Sequence, residues 1–175
     1  EHEHVYTIGK SGKQSDILYP KDKLIEKDIN VYWIDRGGQT TYHGPGQLIL
    51  YPILNIAELA INPIKYIRLL EKLVIMTLNE FKINAYTMPG LTGVWVDNAK
   101  IASIGIKVTR GITTHGLSLN INPDISYFDG IIACGELEHS ITSMQNCSNK
   151  LITRKHVIPS IIDNFSTVFG FNMRL

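Results

Sequence analysis

Residues 94–121, VWVDNAKIASIGIKVTRGITTHGLSLNI, carry the pattern that decides the fold. Apolar residues alternate with small or polar ones on both sides of Arg110-Gly111, which is typical of half-buried strands joined by a tight turn. Asp97-Asn98 supplies a second hairpin turn before them. The segment therefore predicts an antiparallel meander with strands at 94–96, 101–108 and 112–121.

Two amphipathic helices are predicted outside this meander. Asn62 can cap a helix that has Pro63 at its first position. Apolar side chains then recur at helical spacing as far as Phe81. A second helix is predicted over 153–169, and Pro159 is expected to kink it.

The N-terminal part is predicted to contribute strands at 5–8, 29–34 and 48–54. The polar, Lys-rich stretch 10–28 is interpreted as loop or edge, and 36–47, with four glycines and a proline, as a long loop. Hairpins outnumber regular βαβ alternation, which favours an α+β fold, a mixed and largely antiparallel sheet covered by helices. With no internal repeat and no linker, residues 1–175 are expected to form a single domain.

Composition excludes several classes of function. The 175 residues are 44% hydrophobic and carry a formal net charge of +1, so the strong basic excess of a general nucleic-acid binder is missing. The longest apolar run, near 69–78, is interrupted by charged residues and is too short to span a membrane. The N-terminus has no signal-peptide pattern, and the two cysteines are not in a CxxC pair, which argues against structural zinc. We therefore expect a cytoplasmic protein without nucleic-acid or membrane partners and without a metal site.

The loop at 36–47, RGGQTTYHGPGQ, is the first candidate site. Its glycines permit close approach of a ligand to the backbone, and Arg36, Gln39, Tyr42 and His43 supply polar groups beside them. A long surface loop with a satisfied histidine explains the same composition. The loop matches neither a dinucleotide fingerprint nor a P-loop.

Cys134 and Lys100 are candidates of a different kind, because each has an ordinary explanation. A cysteine between Ala133 and Gly135 can be an inert buried thiol, and Lys100, just after a predicted turn, can be a solvated lysine. A nearby ammonium would favour the nucleophilic thiolate, but the sequence does not place the two residues in contact. Gly116 and Ser118 are small residues in a strand of bulky ones, which predicts either a ligand slot or a bend.

Three blocks, RGGQTTYHGPGQLILYP, GVWVDNAKIASIGIKVTRGITTHGLSLNIN and ACGELEHSITSM, together resemble the lipoyl(octanoyl) transferase family, also called lipoate-protein ligase B. The N-terminal EHEHVYTIGKSGK resembles the family's EHxPVYTLGxxG block. The resemblance covers nearly the whole chain in the right order, although the family begins with a further strand and helix. It implies a biotinyl/lipoyl protein ligase-like fold.

The resemblance also implies roles for individual residues. It makes Cys134 the acyl-thioester nucleophile and Lys100 the group that favours its thiolate. Ser118 departs from the family, which more often has Ala, and so do residues 135–137. The implied substrate-binding residues fall in three stretches, namely Arg36, Gly37, Gly38, Gln39, Thr40, Thr41, Tyr42 and His43, then Ser103, Ile104 and Gly105, then Gly116, Leu117 and Ser118.

The implied reaction moves octanoyl from octanoyl-acyl carrier protein to a lysine of an apo lipoyl domain, without a cofactor. The implied acceptors are lipoyl domains of 2-oxoacid dehydrogenase complexes and the glycine cleavage H protein. We expect the acyl chain to lie in an apolar slot where Gly105 and Gly116 make room. Lys100, or else His43, is expected to take the proton of the acceptor lysine, and five basic residues are candidates for docking an acidic carrier, namely Lys107, Arg110, Lys150, Arg154 and Lys155.

Three other functions stay open. An ATP-dependent lipoate or biotin ligase of the same fold would form an acyl-adenylate, which is detected as pyrophosphate release. A cysteine hydrolase would release free octanoate without a lipoyl domain. A non-catalytic lipoyl-domain binding module would bind the domain without forming an acyl adduct.

Overall fold

The predicted meander is present in the computed structural model, which describes residues 1–133 and 140–171. The second of its three strands is longer than predicted, because it begins at Ala99, directly after the turn formed by Asp97 and Asn98. Both turn residues have positive φ, as hairpin turns of this kind require. In chain order the strands and α-helices are β1 (Val5–Ile8), α1 (Lys21–Glu26), β2 (Asn30–Trp33), β3 (Thr40–His43), β4 (Gln47–Leu50), α2 (Pro63–Glu80), β5 (Val94–Val96), β6 (Ala99–Thr109), β7 (Ile112–Asn120), β8 (Ser140–Ile141) and α3 (Arg154–Phe169).

The strands form two sheets. The larger has the order β4-β7-β6-β5, and β8 pairs in parallel with the start of β6. The smaller has the order β2-β1-β3, with β1 parallel to β2 and antiparallel to β3. Most of the pairings are antiparallel and helices accompany both sheets, so the predicted α+β class is confirmed.

Helix α2 begins and ends close to the predicted positions. The side chain of Asn62 accepts a hydrogen bond from the backbone N–H of Lys65, and Pro63 occupies the first turn. The buried residues repeat every three to four positions, so one apolar stripe faces the larger sheet. Helix α3 packs beside α2, and Pro159 lies inside it.

Three predictions for the N-terminal part differ from the structure. Residues 36–47 are not one loop, because Thr40–His43 form β3; threonine, tyrosine and histidine here pair with β1. Residues 10–28 are not all loop or edge, because α1 lies within them and carries the chain from β1 to the parallel strand β2. The predicted strand at 48–54 ends at Leu50, before Pro52, which has no N–H for a ladder.

The two sheets have separate apolar clusters. The larger cluster is mainly aliphatic and lies between the larger sheet and helices α2 and α3. The smaller cluster, built around Tyr6, Tyr42 and Phe128, lies against the smaller sheet. No helix in the described part of the chain is long and apolar enough to cross a membrane.

Candidate active site

A cavity of about 870 Å³ is lined by residues of both sheets. The smaller sheet contributes Thr7 from β1 and Thr41 and His43 from β3, whereas the larger sheet contributes Lys100 from β6. Of the residues that the sequence nominates, the cavity is lined by Arg36, Gly38, Gln39, Thr41, His43, Lys100, Ser103, Ile104, Gly105, Gly116, Leu117 and Ser118.

Three nominated residues do not line this cavity. The backbone N–H of Gly37 donates to the carbonyl of Ile106 at 2.8 Å, which ties the loop to β6. The hydroxyl of Thr40 donates to the carboxylate of Asp16 at 2.8 Å. Tyr42 is fully buried in the smaller apolar cluster, and its hydroxyl lies 2.9 Å from Nδ1 of His4. In this structure, all three residues hold the wall of the cavity together.

Arg36 lines the cavity but also acts as a structural clamp. Its Nη2 donates to the carbonyl and to the hydroxyl of Thr7, both at 2.9 Å, and its Nη1 donates to the Gly37 carbonyl at 3.1 Å. The side chain is 7% exposed. A buried guanidinium needs several hydrogen bonds to offset its desolvation. Arg36 therefore fixes the loop against β1.

His43 presents a neutral imidazole to the cavity. Burial lowers its pKa to about 4, so that the ring is uncharged at neutral pH. Its Nδ1 lies 3.2 Å from Oε1 of Gln47, which can only accept, so we assign the proton to Nδ1. Gln47 is itself fixed, because its Nε2 donates to Oδ1 of Asn120 at 2.9 Å. The Nε2 of His43 is consequently a hydrogen-bond acceptor.

Strands β6 and β7 bring the second and third nominated stretches together. Ser103 pairs with Ser118, and Gly105 pairs with Gly116. Both glycines line the cavity, so the expectation of an acyl slot beside them stays a prediction, but the space that their side chains would take is filled by protein atoms. An added Cβ at Gly105 would lie 2.9 Å from Arg36 Cδ and from the Gly37 carbonyl oxygen, and one at Gly116 would overlap the carbonyl of Leu50. The missing side chains instead allow backbone segments to approach closely.

Lys100 is buried at the beginning of β6. It is 4% exposed, and its Nζ lies 4.6 Å from the centre of the Trp95 ring. The interpretation of Lys100 as an ordinary solvated lysine is therefore wrong. Its partner on the parallel strand β8 is Ile141.

Cys134 lies outside the described residues. Two described segments flank it in the chain. Ala133 packs against the smaller apolar cluster, and so does Ile141, which pairs with Lys100.

The sequence did not single out several residues that line the cavity. They include His2, His4, Tyr32 and Tyr51. The His2 ring lies 5.8 Å from that of His43, and its Nε2 lies 3.1 Å from the Tyr51 hydroxyl. The only signal for the two histidines is their position just before β1, and nothing in the sequence marks the two tyrosines.

His115 has an unusual backbone and a charged partner. Its φ is 59°, in the left-handed region that residues other than glycine rarely adopt. Its Nε2 lies 2.8 Å from Oδ1 of Asp35, whose other oxygen accepts from Nζ of Lys107 at 2.5 Å. These hydrogen bonds lower the pKa of the Asp35 carboxyl to about 2, and the bond from Lys107 has the larger effect. Lys107, one of the residues proposed for docking a carrier protein, is thus already paired, as Arg154 is with Glu1 at 2.9 Å.

Comparison with known families and proteins gives a consistent result. A model of the lipoyl protein ligase A/B catalytic domain matches residues 1–166. An octanoyltransferase of Christiangramia forsetii is 41% identical over 180 residues, which cover 99% of this chain and 77% of that protein. An octanoyltransferase of Thermoanaerobacter sp. is 43% identical over 173 residues, covering 98% and 75%.

Solved structures show the same fold at low sequence identity. A lipoate-protein ligase A bound with ATP has a TM-score of 0.78 at 12% identity and covers 99% of this chain, which spans 72% of that one. An archaeal bi-partite lipoate protein ligase of Thermoplasma acidophilum, studied with its E2 lipoyl domain, also gives 0.78, at 14% identity and 99% and 70% coverage. A biotin protein ligase of Aquifex aeolicus in complex with biotin and ATP gives 0.62, at 16% identity and 94% and 70% coverage. The biotinyl/lipoyl protein ligase-like architecture predicted above is therefore confirmed.

Proposed function

The chain belongs to the lipoyl protein ligase A/B catalytic domain family, its relatives are octanoyltransferases, and we propose that it transfers octanoyl from acyl carrier protein to a lysine of apo lipoyl domains through a thioester on Cys134. The acyltransferase class follows from about 40% identity over nearly the whole chain to those relatives. The donor, the acceptor and the intermediate are our proposal. We treat residues 1–175 as one catalytic unit.

The observation that carries the proposal is the buried position of Lys100 in the wall of the cavity. A buried ammonium needs an anionic or aromatic partner. The Trp95 ring is one partner, and we propose the Cys134 thiolate as the second. Because Ile141 pairs with Lys100, the described chain returns to this lysine only seven residues after Cys134.

The first step is exchange between two thioesters. The Cys134 thiolate attacks the carbonyl carbon of the octanoyl thioester, a carbon–sulfur bond forms, and the bond to the carrier's pantetheine sulfur breaks. The pantetheine leaves as a thiolate and takes a proton. Because one thioester replaces another, the step needs no nucleotide. The Lys100 ammonium favours the Cys134 thiolate and so increases the concentration of the nucleophile.

The second step forms an amide. The neutral amine of the acceptor lysine attacks the Cys134 thioester, loses a proton, and expels the Cys134 thiolate. Lys100 is our preferred relay for this proton, because its ammonium can protonate the departing pantetheine thiolate in the first step and is then neutral when the acceptor amine attacks. His43 is the weaker candidate as a base, because an imidazole with a pKa of about 4 holds a proton poorly at neutral pH. Its unprotonated Nε2 is suited instead to accepting a hydrogen bond from the attacking amine.

Intact mass spectrometry after incubation with octanoyl-acyl carrier protein tests the proposal. We expect the mass of one octanoyl group on the wild type and on Cys147→Ser, but none on Cys134→Ser. Adding an apo lipoyl domain should move the group to the domain without ATP. Lys100→Met should slow formation of the adduct by about 100-fold, the size of a typical proton-transfer or charge contribution.

The alternative functions predict different products. Full activity of Cys134→Ser with an acyl group elsewhere would refute the assignment of the nucleophile. Pyrophosphate release and a requirement for ATP would indicate a ligase, for which the ATP-bound fold relative is a precedent. Free octanoate without a lipoyl domain would indicate a hydrolase, and domain binding with no adduct would indicate a binding module.

A further inference from the structure

The ammonium of Lys100 is held by an aromatic ring from the neighbouring strand. Trp95 and Lys100 are directly paired residues of β5 and β6, so their side chains lie on the same face of the sheet. The Nζ lies 4.6 Å from the ring centre, within the range of a cation–π interaction. The ring offsets part of the cost of burying this charge.

The Trp95 ring is fixed in place by its surroundings. Trp95 is fully buried, and its backbone is bonded on both edges. One edge pairs with β6, and the other exchanges two hydrogen bonds with Tyr86, of 2.9 and 3.0 Å. A ring held this firmly can define where the ammonium lies.

The methylene stem of Lys100 packs against Gly93. Gly93 has a φ of 133°, and a Cβ added there would lie 3.2 Å from Cε of Lys100 and 2.7 Å from the Ala102 carbonyl oxygen. Only glycine fits this position without displacing the lysine or the strand. The backbone at Gly93 therefore limits the side-chain rotamers that are open to Lys100.

A buried carboxylate on α2 holds Gly93 where it is. Glu71 is 1% exposed, and its Oε1 accepts the Gly93 N–H at 3.1 Å. Its Oε2 accepts from Nη1 of Arg68 at 2.7 Å, which supplies the countercharge. A buried carboxylate whose two oxygens are both used is a rigid anchor. Glu71 takes no part in the two proposed chemical steps.

We propose that Trp95 and Glu71 are positioning residues of the transferase, which hold the Lys100 ammonium in place at the cavity wall. The inference rests on the function proposed above. Lysine has a flexible four-carbon stem, and its charge acts as a point, so its effect on a thiolate depends on its being held in place. Trp95 holds the charged end, and Glu71 holds the stem through Gly93.

The test measures the nucleophile directly, without octanoyl donor or lipoyl domain. In a Cys147→Ser background, Cys134 is the only remaining thiol. Its rate of alkylation by iodoacetamide, followed against pH, reports the thiolate. We expect Trp95→Leu to slow alkylation at neutral pH by about three- to tenfold and Trp95→Phe by less, because the phenyl ring is the weaker partner of a cation. Glu71→Met, which leaves the Gly93 N–H without its acceptor, should also shift the profile to higher pH.

A matched control separates positioning from loss of stability. Thr77→Val lies on the same helix as Glu71 and is fully buried, and it removes a hydroxyl that donates to the Leu73 carbonyl at 2.9 Å. It should lower the melting temperature and leave the alkylation profile unchanged. In octanoyl transfer, we expect Trp95→Leu and Glu71→Met to lower kcat and to leave the KM for the lipoyl domain nearly unaltered.

Double variants decide whether the effect acts through Lys100. Adding Trp95→Leu to Lys100→Met should not lower the alkylation rate any further. If Trp95→Leu lowers that rate equally in the presence and in the absence of Lys100, the positioning role is overturned. Profiles of Trp95→Phe and Glu71→Met that match Thr77→Val would overturn it as well, even if Trp95→Leu failed to fold. An alkylation profile that Lys100→Met leaves unchanged would instead remove the pairing of Lys100 with Cys134, and the proposed mechanism with it.

Discussion

The two sheets that line the cavity are stabilised in different ways. The larger sheet rests on an aliphatic core, in which Leu70 of α2 and Leu119 of β7 are fully buried. The smaller sheet packs on tyrosines, whose hydroxyls are tied to specific polar atoms. The Tyr6 hydroxyl donates to the Tyr127 carbonyl at 2.6 Å, and the Tyr42 hydroxyl meets His4.

This difference matches what each sheet contributes to the site. Lys100, whose position we consider decisive, comes from the larger sheet, where close packing leaves side chains little freedom. The polar side chains of Arg36 and His43, which also line the cavity, come from the smaller sheet and the loop beside it. The larger sheet therefore holds Lys100 in place by close packing, and the smaller sheet and its loop hold their polar side chains by hydrogen bonds.

The largest expected effect tests this contrast in the cores themselves. Leu119→Ala should lower the free energy of unfolding by about 2–5 kcal/mol, because it leaves a cavity in an aliphatic core. Tyr6→Phe removes only one hydrogen bond of the smaller cluster and should cost about 1 kcal/mol. Urea unfolding of both variants measures the two values. Equal losses would show that the smaller sheet depends on apolar packing as much as the larger one does.

A second prediction concerns the two paired glycines. Gly116→Ala would place a methyl group against the Leu50 carbonyl within the larger sheet, and backbone there cannot move cheaply. We expect a loss of about 3 kcal/mol, the upper end for overpacking. Gly105→Ala meets the Arg36 side chain and the Gly37 carbonyl at the junction with the smaller sheet. It should cost about 1 kcal/mol, because a side chain and a loop can yield.

The octanoyl-transfer activity of the two glycine variants should distinguish them further. Gly105→Ala should impair octanoyl transfer more than its loss of stability explains, because it displaces the Arg36 clamp on the cavity wall. Gly116→Ala should lower stability and activity in parallel. If Gly105→Ala lowers the free energy of unfolding more than Gly116→Ala does, the junction between the sheets is at least as rigid as the larger sheet.

The larger sheet is also the part that the sequence predicted well. Alternation along 101–121 and helical spacing after Pro63 are local signals, and burial of one face by the aliphatic core produces both. Two strands of the smaller sheet were also predicted, at 5–8 and 29–34, but its third strand offered no such signal. Residues 40–43 form a strand because β1 pairs with them. The glycines on either side of them predicted a loop instead. Helix α1 has no buried residue, so its sequence lacks an apolar stripe.

The same distinction applies to the site. The motif around Lys100 nominated the residue, but its burial against Trp95 depends on a strand pairing with a register shift beside Trp95. The anchoring of Gly93 by Glu71 joins residues that lie on different elements and belong to no common motif. Local sequence patterns do not predict such contacts, because the residues involved are far apart in the chain.

The smallest effect we predict concerns Asp35, which links the segment after β2 to the larger sheet through an ion pair with Lys107 and a hydrogen bond with His115. The folded-state pKa of about 2 is below the ordinary 3.8, so the stabilisation is fully present above that ordinary value and is lost as pH falls through 2. Asp35→Asn should lower Tm slightly at neutral pH. The gap to the wild type should narrow as pH falls to about 3, and high salt should narrow it too, because Asp35 is exposed. A gap that stays constant under both treatments would show that the two sheets are joined here by packing and not by charge, in which case the cavity is as rigid at this edge as it is at Lys100.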